Sequence, residues 1–305
     1  MKIINYTYPA SRSVMNNACY ALGFFDGVHI GHRRLIAECI ERARSLGLTP
    51  AVFTFPSESG GLKHKERRIY STEDKLSILE SLGIEYAVVA DFSSVSSLSP
   101  ERFVSEVLVG ELGCAFALSG EGFRFGAGAS GDVRTLKSCL ISHGADADTV
   151  SDVQYDGMPA SSTRIREALG CSDVALAGRM LAAPFFIKGR VEHGRGEGRT
   201  FGIPTVNIPL AVNTPLANGV YHTELEIDGK AYTGLTNIGV CPSFGERARH
   251  SETLILGYSG DLYERELTLR FVDFIRGERV FPSAEELKKQ IDADIRRIEN
   301  GRSMD

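Results

Sequence analysis

The feature that most restricts the fold of this chain is a change of pattern near residue 184. Before it, short apolar runs alternate with amphipathic helical patterns; after it, helical signals vanish until the last element. Ala18–Phe25, Ala51–Phe55, Tyr86–Asp91 and Ala115–Ser119 read as strands, rich in Val, Phe and Ala and bounded by turn residues. Between the first two, Leu35, Ile36, Cys39, Ile40, Ala43 and Leu46 recur at helical spacing over 31–46, and Gly47 stands where a C-cap belongs. Ser71-Thr72-Glu73-Asp74 is an acidic variant of the capping box and starts a helix through Leu82. Ser99-Pro100-Glu101 puts Pro at the first helical position of another, running to Leu112, while the serine-rich 93–99 reads as a loop. Strand and helix in this order predict a doubly wound parallel sheet covered on both faces.

The second part predicts something different. Gly219–Ile227 and Lys230–Ile238 are strands joined at Asp228-Gly229, a type I′ hairpin signal, with further strands at Phe185–Glu192, Ser251–Tyr258 and Glu266–Asp273. Ser283 and Glu286 form a capping box for a final helix with the apolar stripe Leu287, Ile291, Ile295 and Ile298. The expectation is an α/β domain over 1–183 and a small β-barrel with a terminal helix over 184–305. A length of 305 residues suits two domains, and 43% hydrophobic residues can fill their cores.

Composition narrows the function. The 34 Lys and Arg against 39 Asp and Glu leave a charge of −5, which argues against a general nucleic-acid binder. No apolar run approaches the ~18 residues of a membrane span. Met1–Tyr6 turns polar too soon for a signal-peptide core, and the six cysteines are scattered, suggesting neither a disulfide framework nor a zinc site. These features predict a cytoplasmic protein with no nucleic-acid or membrane partner; the oligomeric state stays open.

Two segments carry chemistry. In the first, a strand runs into Gly23-Phe24-Phe25-Asp26-Gly27-Val28-His29-Ile30-Gly31-His32, where a helix begins. Gly23, Gly27 and Gly31 let backbone approach a ligand, and the helix start offers unpaired N–H groups at the positive end of its dipole. His29 and His32, three apart, can both point to one spot there and hydrogen-bond phosphates; the plainer alternative is a pair of capping histidines. Ser161-Ser162-Thr163-Arg164-Ile165-Arg166 opens a later helix with hydroxyls and a guanidinium, again what a polyphosphate needs, or else a simple N-cap with solvated arginines. In the second segment, 193–207 is glycine-dense and locally basic. A dinucleotide fingerprint fails there, because Pro204, Thr205 and Val206 continue as extended chain where a helix should open. A loop folding its N–H groups over phosphates, or a plain surface hairpin, fits better. Thr205 and Asn207 alternate with Val206 and so share a strand face, where a hydroxyl and an amide oxygen suit Mg²⁺.

With His29-x-Gly31-His32 and Ser162-Thr163-x-x-Arg166, the first half resembles the nucleotidyltransferase superfamily. Gly120–Gly126 with Gly131-Asp132 resembles one branch, the bifunctional riboflavin kinase/FMN adenylyltransferases (FAD synthetases). Gly198-Arg199-Thr200-Phe201-Gly202-Ile203-Pro204-Thr205-Val206-Asn207 is similar to that family's kinase motif, and Gly219-Val220-Tyr221, Asn237-Ile238-Gly239 and Gly260–Tyr263 follow in the expected order.

The resemblance implies a nucleotidyltransferase-type first domain and a riboflavin kinase-like barrel, with riboflavin, FMN, FAD and ATP as substrates or products and Mg²⁺ as cofactor. It implies ATP contacts from Gly23, Phe25, Asp26, His29, Gly31, His32, Ser162, Thr163 and Arg166, with the two histidines catalytic. Phe123 and Arg124 fall on the flavin side. In the kinase it implies nucleotide contacts from Gly198, Arg199, Gly202, Pro204, Thr205 and Asn207, the last two holding the metal. Glu252 is implied as general base, and Phe274–Glu278 with Phe281 as the flavin-side segment. The chain departs from the family at Thr54-Phe55-Pro56-Ser57-Glu58-Ser59, where Thr-Phe-x-Pro-His-Pro is usual. It also departs at Gly122, Cys241 and Leu254. A kinase with an impaired first half, and a non-catalytic flavin binder, are the alternative readings.

Overall fold

A computed structural model describes residues 1–10, 14–58, 68–193, 204–240 and 249–302. The chain divides into two compact units, Met1–Ser162 and Thr163–Asp305.

In the first unit, β1 (Lys2–Tyr6), β2 (Ala18–Leu22), β3 (Thr49–Thr54), β4 (Tyr86–Ala90), β5 (Cys114–Gly120) and β6 (Asp146–Val150) form one sheet in the order β1-β4-β3-β2-β5-β6. Every pairing is parallel. Strand order reverses at β2, so the crevice beyond its carboxyl end is where a ligand is expected in such a sheet. Every residue of β2 is buried, as a central parallel strand requires.

Two apolar cores flank the sheet. On one face α1 (Ile30–Leu46) and α2 (Thr72–Ser81) contribute Leu35, Ile36, Cys39, Ala43, Leu76 and Leu79. Gly47 ends α1 in the left-handed region at φ 64, and Ser71 caps α2 by accepting from the Asp74 N–H, both as the sequence predicts. On the other face α3 (Phe92–Val95), α4 (Pro100–Arg102), a π-helical stretch over Phe103–Glu111 and α5 (Val133–Ser142) cover the sheet. The segment 93–99 is therefore not all loop: Asp91 accepts from the Ser93 N–H and caps a helical turn. Strands β1 and β6 carry no apolar run because each is an edge strand, with charge or polarity at several of its positions. Cys19 and Cys39 meet in the core at 3.7 Å as free thiols.

In the second unit α6 (Ser162–Gly170, of which Ser162 falls in the first unit) and α7 (Val174–Leu181) precede β9 (Phe185–Arg190). Then come β10 (Thr205–Pro209), β11 (Gly219–Ile227), β12 (Lys230–Val240), β13 (Arg249–Ile255), β14 (Glu266–Arg276) and α8 (Ala284–Arg302). A two-stranded hairpin, β7 (Gln154–Tyr155) and β8 (Met158–Pro159), belongs to the first unit. The sheet order is β10-β13-β12-β11-β14-β9, antiparallel throughout, and the outer strands meet through the Glu192–Asn207 bridge. That curling gives the barrel-like sheet expected from the sequence. Asp228 and Gly229 both have positive φ, 51 and 77, as a type I′ turn demands.

Candidate functional site

Between β2 and α1 the chain makes a strained turn. Phe25 and Val28 hold φ of 58 and 44, and Gly27 holds 80. A β-branched residue in that region is a true outlier, and such strain concentrates at working sites. Burial supplies the compensation: Phe25 and Val28 are fully enclosed, and the Asp26 carboxylate accepts from the Ile69 N–H at 3.1 Å. Ser162 Oγ donates to the Asp26 carbonyl at 2.7 Å, so the start of α6 braces the same turn.

This turn delivers the two histidines. His29 occupies the N-cap position of α1, yet its side chain makes no capping hydrogen bond, which removes the plainer alternative for it. The imidazoles stack with centroids 3.7 Å apart and planes at 23°, and Phe25 packs edge-on against His32 at 5.2 Å. A Cβ at residue 31 would meet the His29 ring at 3.1 Å, so Gly31 makes room for the stack. Both Nδ1 atoms are buried and have no hydrogen-bond partner among the described residues. Such groups cost stability unless something completes them, and an anionic ligand can. Burial holds His29 at about 4, far below the ordinary 6.5. Burial, His29 and the nearby Lys75 hold His32 well below it. At neutral pH the pair offers N–H dipoles rather than charges.

Lys75, which sequence reasoning missed, is bound to the start of this turn. Its Nζ, carried on α2, donates to the carbonyls of Phe24 (3.1 Å) and Phe55 (2.6 Å) and to Thr54 Oγ1 (3.3 Å). The available signal was a lysine one residue before Leu76 and four before Leu79, on the apolar face of the helix. Phe123 stacks on Phe125, and a row of ring contacts continues through Phe103, Phe53 and Phe55 to Phe92. Arg124 is exposed. Thr163 and Arg166 lie on α6 in the second unit, where Arg166 Nη2 donates to Thr163 Oγ1 at 3.2 Å.

The second site is built by strand register. Glu252 on β13 stands opposite Asn207 on β10 and Asn237 on β12, and Thr205 Oγ1 donates to Glu252 Oε1 at 2.9 Å. Alternation puts Thr205, Asn207, Glu252 and Asn237 on one face. A cavity of about 360 Å³ opens on that face, walled by Thr205, Glu252, Leu254, Arg276 and Phe281 and by Leu287 and Ile291 of α8. A second cavity of about 380 Å³ is lined by Pro204, Thr205, Tyr258, Asp261 and Tyr263, so Thr205 borders both. His193, at the root of the glycine-dense stretch, stacks on Tyr263 at 3.7 Å. Gly198, Arg199 and Gly202 lie outside the described residues, as does Cys241. Arg276 is fixed in the cavity wall by a buried ion pair with Asp294 of α8 at 2.9 Å, and Gln290 Nε2 donates to the same carboxylate at 2.8 Å.

A family profile described as FAD synthetase matches residues 11–164, and one described as riboflavin kinase matches residues 181–301. The bifunctional riboflavin kinase/FMN adenylyltransferase of Pseudomonas fluorescens is 35% identical over 292 residues, covering 92% of each chain. The chain belongs to this family. The relative from Escherichia coli K12 is 34% identical and that from Bacillus subtilis 168 is 35% identical, each match covering 96% of both chains. Among solved structures, one titled a macrolide-efflux protein from Streptococcus pneumoniae overlays at a TM-score of 0.86 with 28% identity, covering 97% of this chain and 98% of that one. No helix among the described residues is long and apolar enough to cross a membrane. Family membership extends the resemblance in the motifs to almost the full length.

Proposed function

We propose that the second unit's sheet phosphorylates riboflavin to FMN and that the turn after β2 then adenylylates FMN to FAD. The modules are taken as 1–183 and 184–305. For the kinase step the carrying observation is the seam at Thr205, a residue that borders two cavities while hydrogen-bonded to Glu252. The cavity under α8 suits the isoalloxazine ring and the second cavity suits ATP, with Gly198, Arg199, Gly202 and Pro204 as nucleotide contacts. Glu252 then accepts the proton of the ribityl 5′-hydroxyl as that oxygen attacks the γ-phosphorus and the bond to ADP breaks. The Thr205 hydroxyl and Asn207 amide oxygen are hard donors beside a carboxylate, a set that fits Mg²⁺. When bound, that ion would neutralise phosphate charge.

In the adenylyl step a phosphate oxygen of FMN attacks the α-phosphorus of ATP, and pyrophosphate leaves. The N–H groups of His29, His32 and the first turn of α1 face the charge that develops there, with Gly23, Phe25, Asp26 and Gly31 shaping the turn. Ser162, Thr163 and Arg166 take the outer phosphates, and Phe123 and Arg124 the flavin side. The supporting observation is the pair of buried imidazole nitrogens lacking partners. The need for ATP supports a cytoplasmic location. Supplying FMN, ATP and Mg²⁺ should yield FAD and pyrophosphate in equal amounts; no pyrophosphate would favour the impaired-half reading that Phe55–Ser59 prompts. Chelating divalent cations should stop FMN formation from riboflavin.

A further inference from the structure

We propose that Lys75 is a positioning residue for adenylyl transfer, clamping the nucleotide-side turn after β2 to the flavin-side end of β3. This rests on placing that reaction at the His29–His32 turn. The side chain is fully enclosed, and its three donors reach three acceptors at the ends of two neighbouring strands. Phe24 leads directly into the strained turn that carries the histidines. Phe55 belongs to the ring contacts beside Phe53 and Phe92. Thr54 Oγ1 already donates to the Phe24 carbonyl at 3.0 Å, so it cannot take over the lysine's task. An ammonium buried this deeply is expensive, and an apolar residue of similar length fills space more cheaply. What only lysine supplies here is three donors at one point, together with a fixed positive charge 4.8 Å from the Phe24 ring and close enough to bear on His32.

The charged groups facing Lys75 are Asp26 and Glu58, which favour its protonated form, and Arg68, which opposes it. His32 is the titratable group it acts upon. Burial dominates this balance and brings the ammonium from 10.5 down to about 8. Above that pH the neutral amine has two N–H groups for three acceptors, so one strand-end contact opens and the charge behind the histidines disappears.

The test is the pH profile, from 7 to 9.5, of FMN adenylylation by the full chain and its Lys75→Met variant, with kcat and KM for FMN measured separately. Riboflavin phosphorylation by the same preparation reports folding. The wild type should lose adenylylation with a midpoint near pH 8. K75M should lose at least tenfold in adenylylation kcat, keep its kinase step within twofold, and show no such midpoint in its residual activity. If K75M also loses the kinase, Lys75→Gln is read in the same way. A flat wild-type profile, or a variant that retains full adenylylation, overturns the proposal. His32→Ala run alongside separates the two ideas: full adenylylation in that variant would displace the site itself, not only the clamp.

Discussion

The two candidate phosphate sites differ in how they are made. The turn after β2 is local: ten consecutive residues supply the strain, the glycines and both imidazoles, and burial in a parallel sheet fixes them before any ligand arrives. The site on the antiparallel sheet is assembled from afar, with Thr205, Glu252, Asn237 and Arg276 brought together by register across four strands and roofed by the terminal helix. The first holds buried polar groups without partners; the second pairs its polar groups with one another. Preorganisation thus comes from burial braced by hydrogen bonds behind the histidines in one case, and from hydrogen bonding among the site's own polar groups in the other. Each strategy fails in its own way when perturbed.

The largest contrast is expected from single substitutions at each site. Glu252→Ala should lower kinase turnover about a thousandfold and leave adenylylation of supplied FMN within twofold, since loss of a general base costs about 10²–10⁴. His32→Ala should do the reverse, lowering adenylylation roughly 300-fold, within the range for loss of one transition-state donor. Steady-state assays of both half-reactions on both variants check this, and a substitution that damages both steps would break the separation.

Asp294→Ala probes the hydrogen-bonded strategy. It leaves Arg276 charged in the cavity wall without its buried partner, a change that costs about 3 kcal/mol. Chemical denaturation should show that loss in the second unit, and the KM for riboflavin should rise while that for FMN in adenylylation stays put. An unchanged KM would mean that Arg276 does not shape the flavin cavity.

The smallest effect belongs to the burial strategy and is a pH dependence. His29 titrates near 4 in the folded chain against 6.5 when exposed, so the unfolded state binds the proton first as pH falls. Stability is therefore lost between pH 6.5 and 4, amounting to about 2 kcal/mol between pH 7 and 5. His29→Gln should flatten that part of the pH–stability curve of the first unit. An equally steep curve in the variant would place the acid sensitivity elsewhere.

The same contrast explains what the sequence alone could reveal. The histidine turn was readable because its parts are neighbours in the chain, and the Asp228-Gly229 hairpin because turn chemistry is local. Thr205 and Asn207 were readable as one strand face by alternation. Glu252 was not, since an exposed glutamate on a strand has no distinguishing neighbour until register sets it beside Thr205; only likeness to the family singled it out. Asp294 was hidden for a related reason, since it looks like ordinary helix surface until packing encloses it, whereas Lys75 was legible only as a lysine on the apolar face of its helix. The edge strands β1 and β6 give no clear signal because polar residues break their apolar patterns, whereas α5 carries a legible one, Asp132 at its N-cap and Leu136 and Leu140 at helical spacing.

Mixing the two single-site variants tests the central claim, that one chain carries two chemically independent phosphate sites, most directly. Supplied with riboflavin, ATP and Mg²⁺, Glu252→Ala alone should make neither product and His32→Ala alone should stop at FMN, while the mixture should restore FAD through free FMN. FAD from either variant alone, or none from the mixture, would contradict the account.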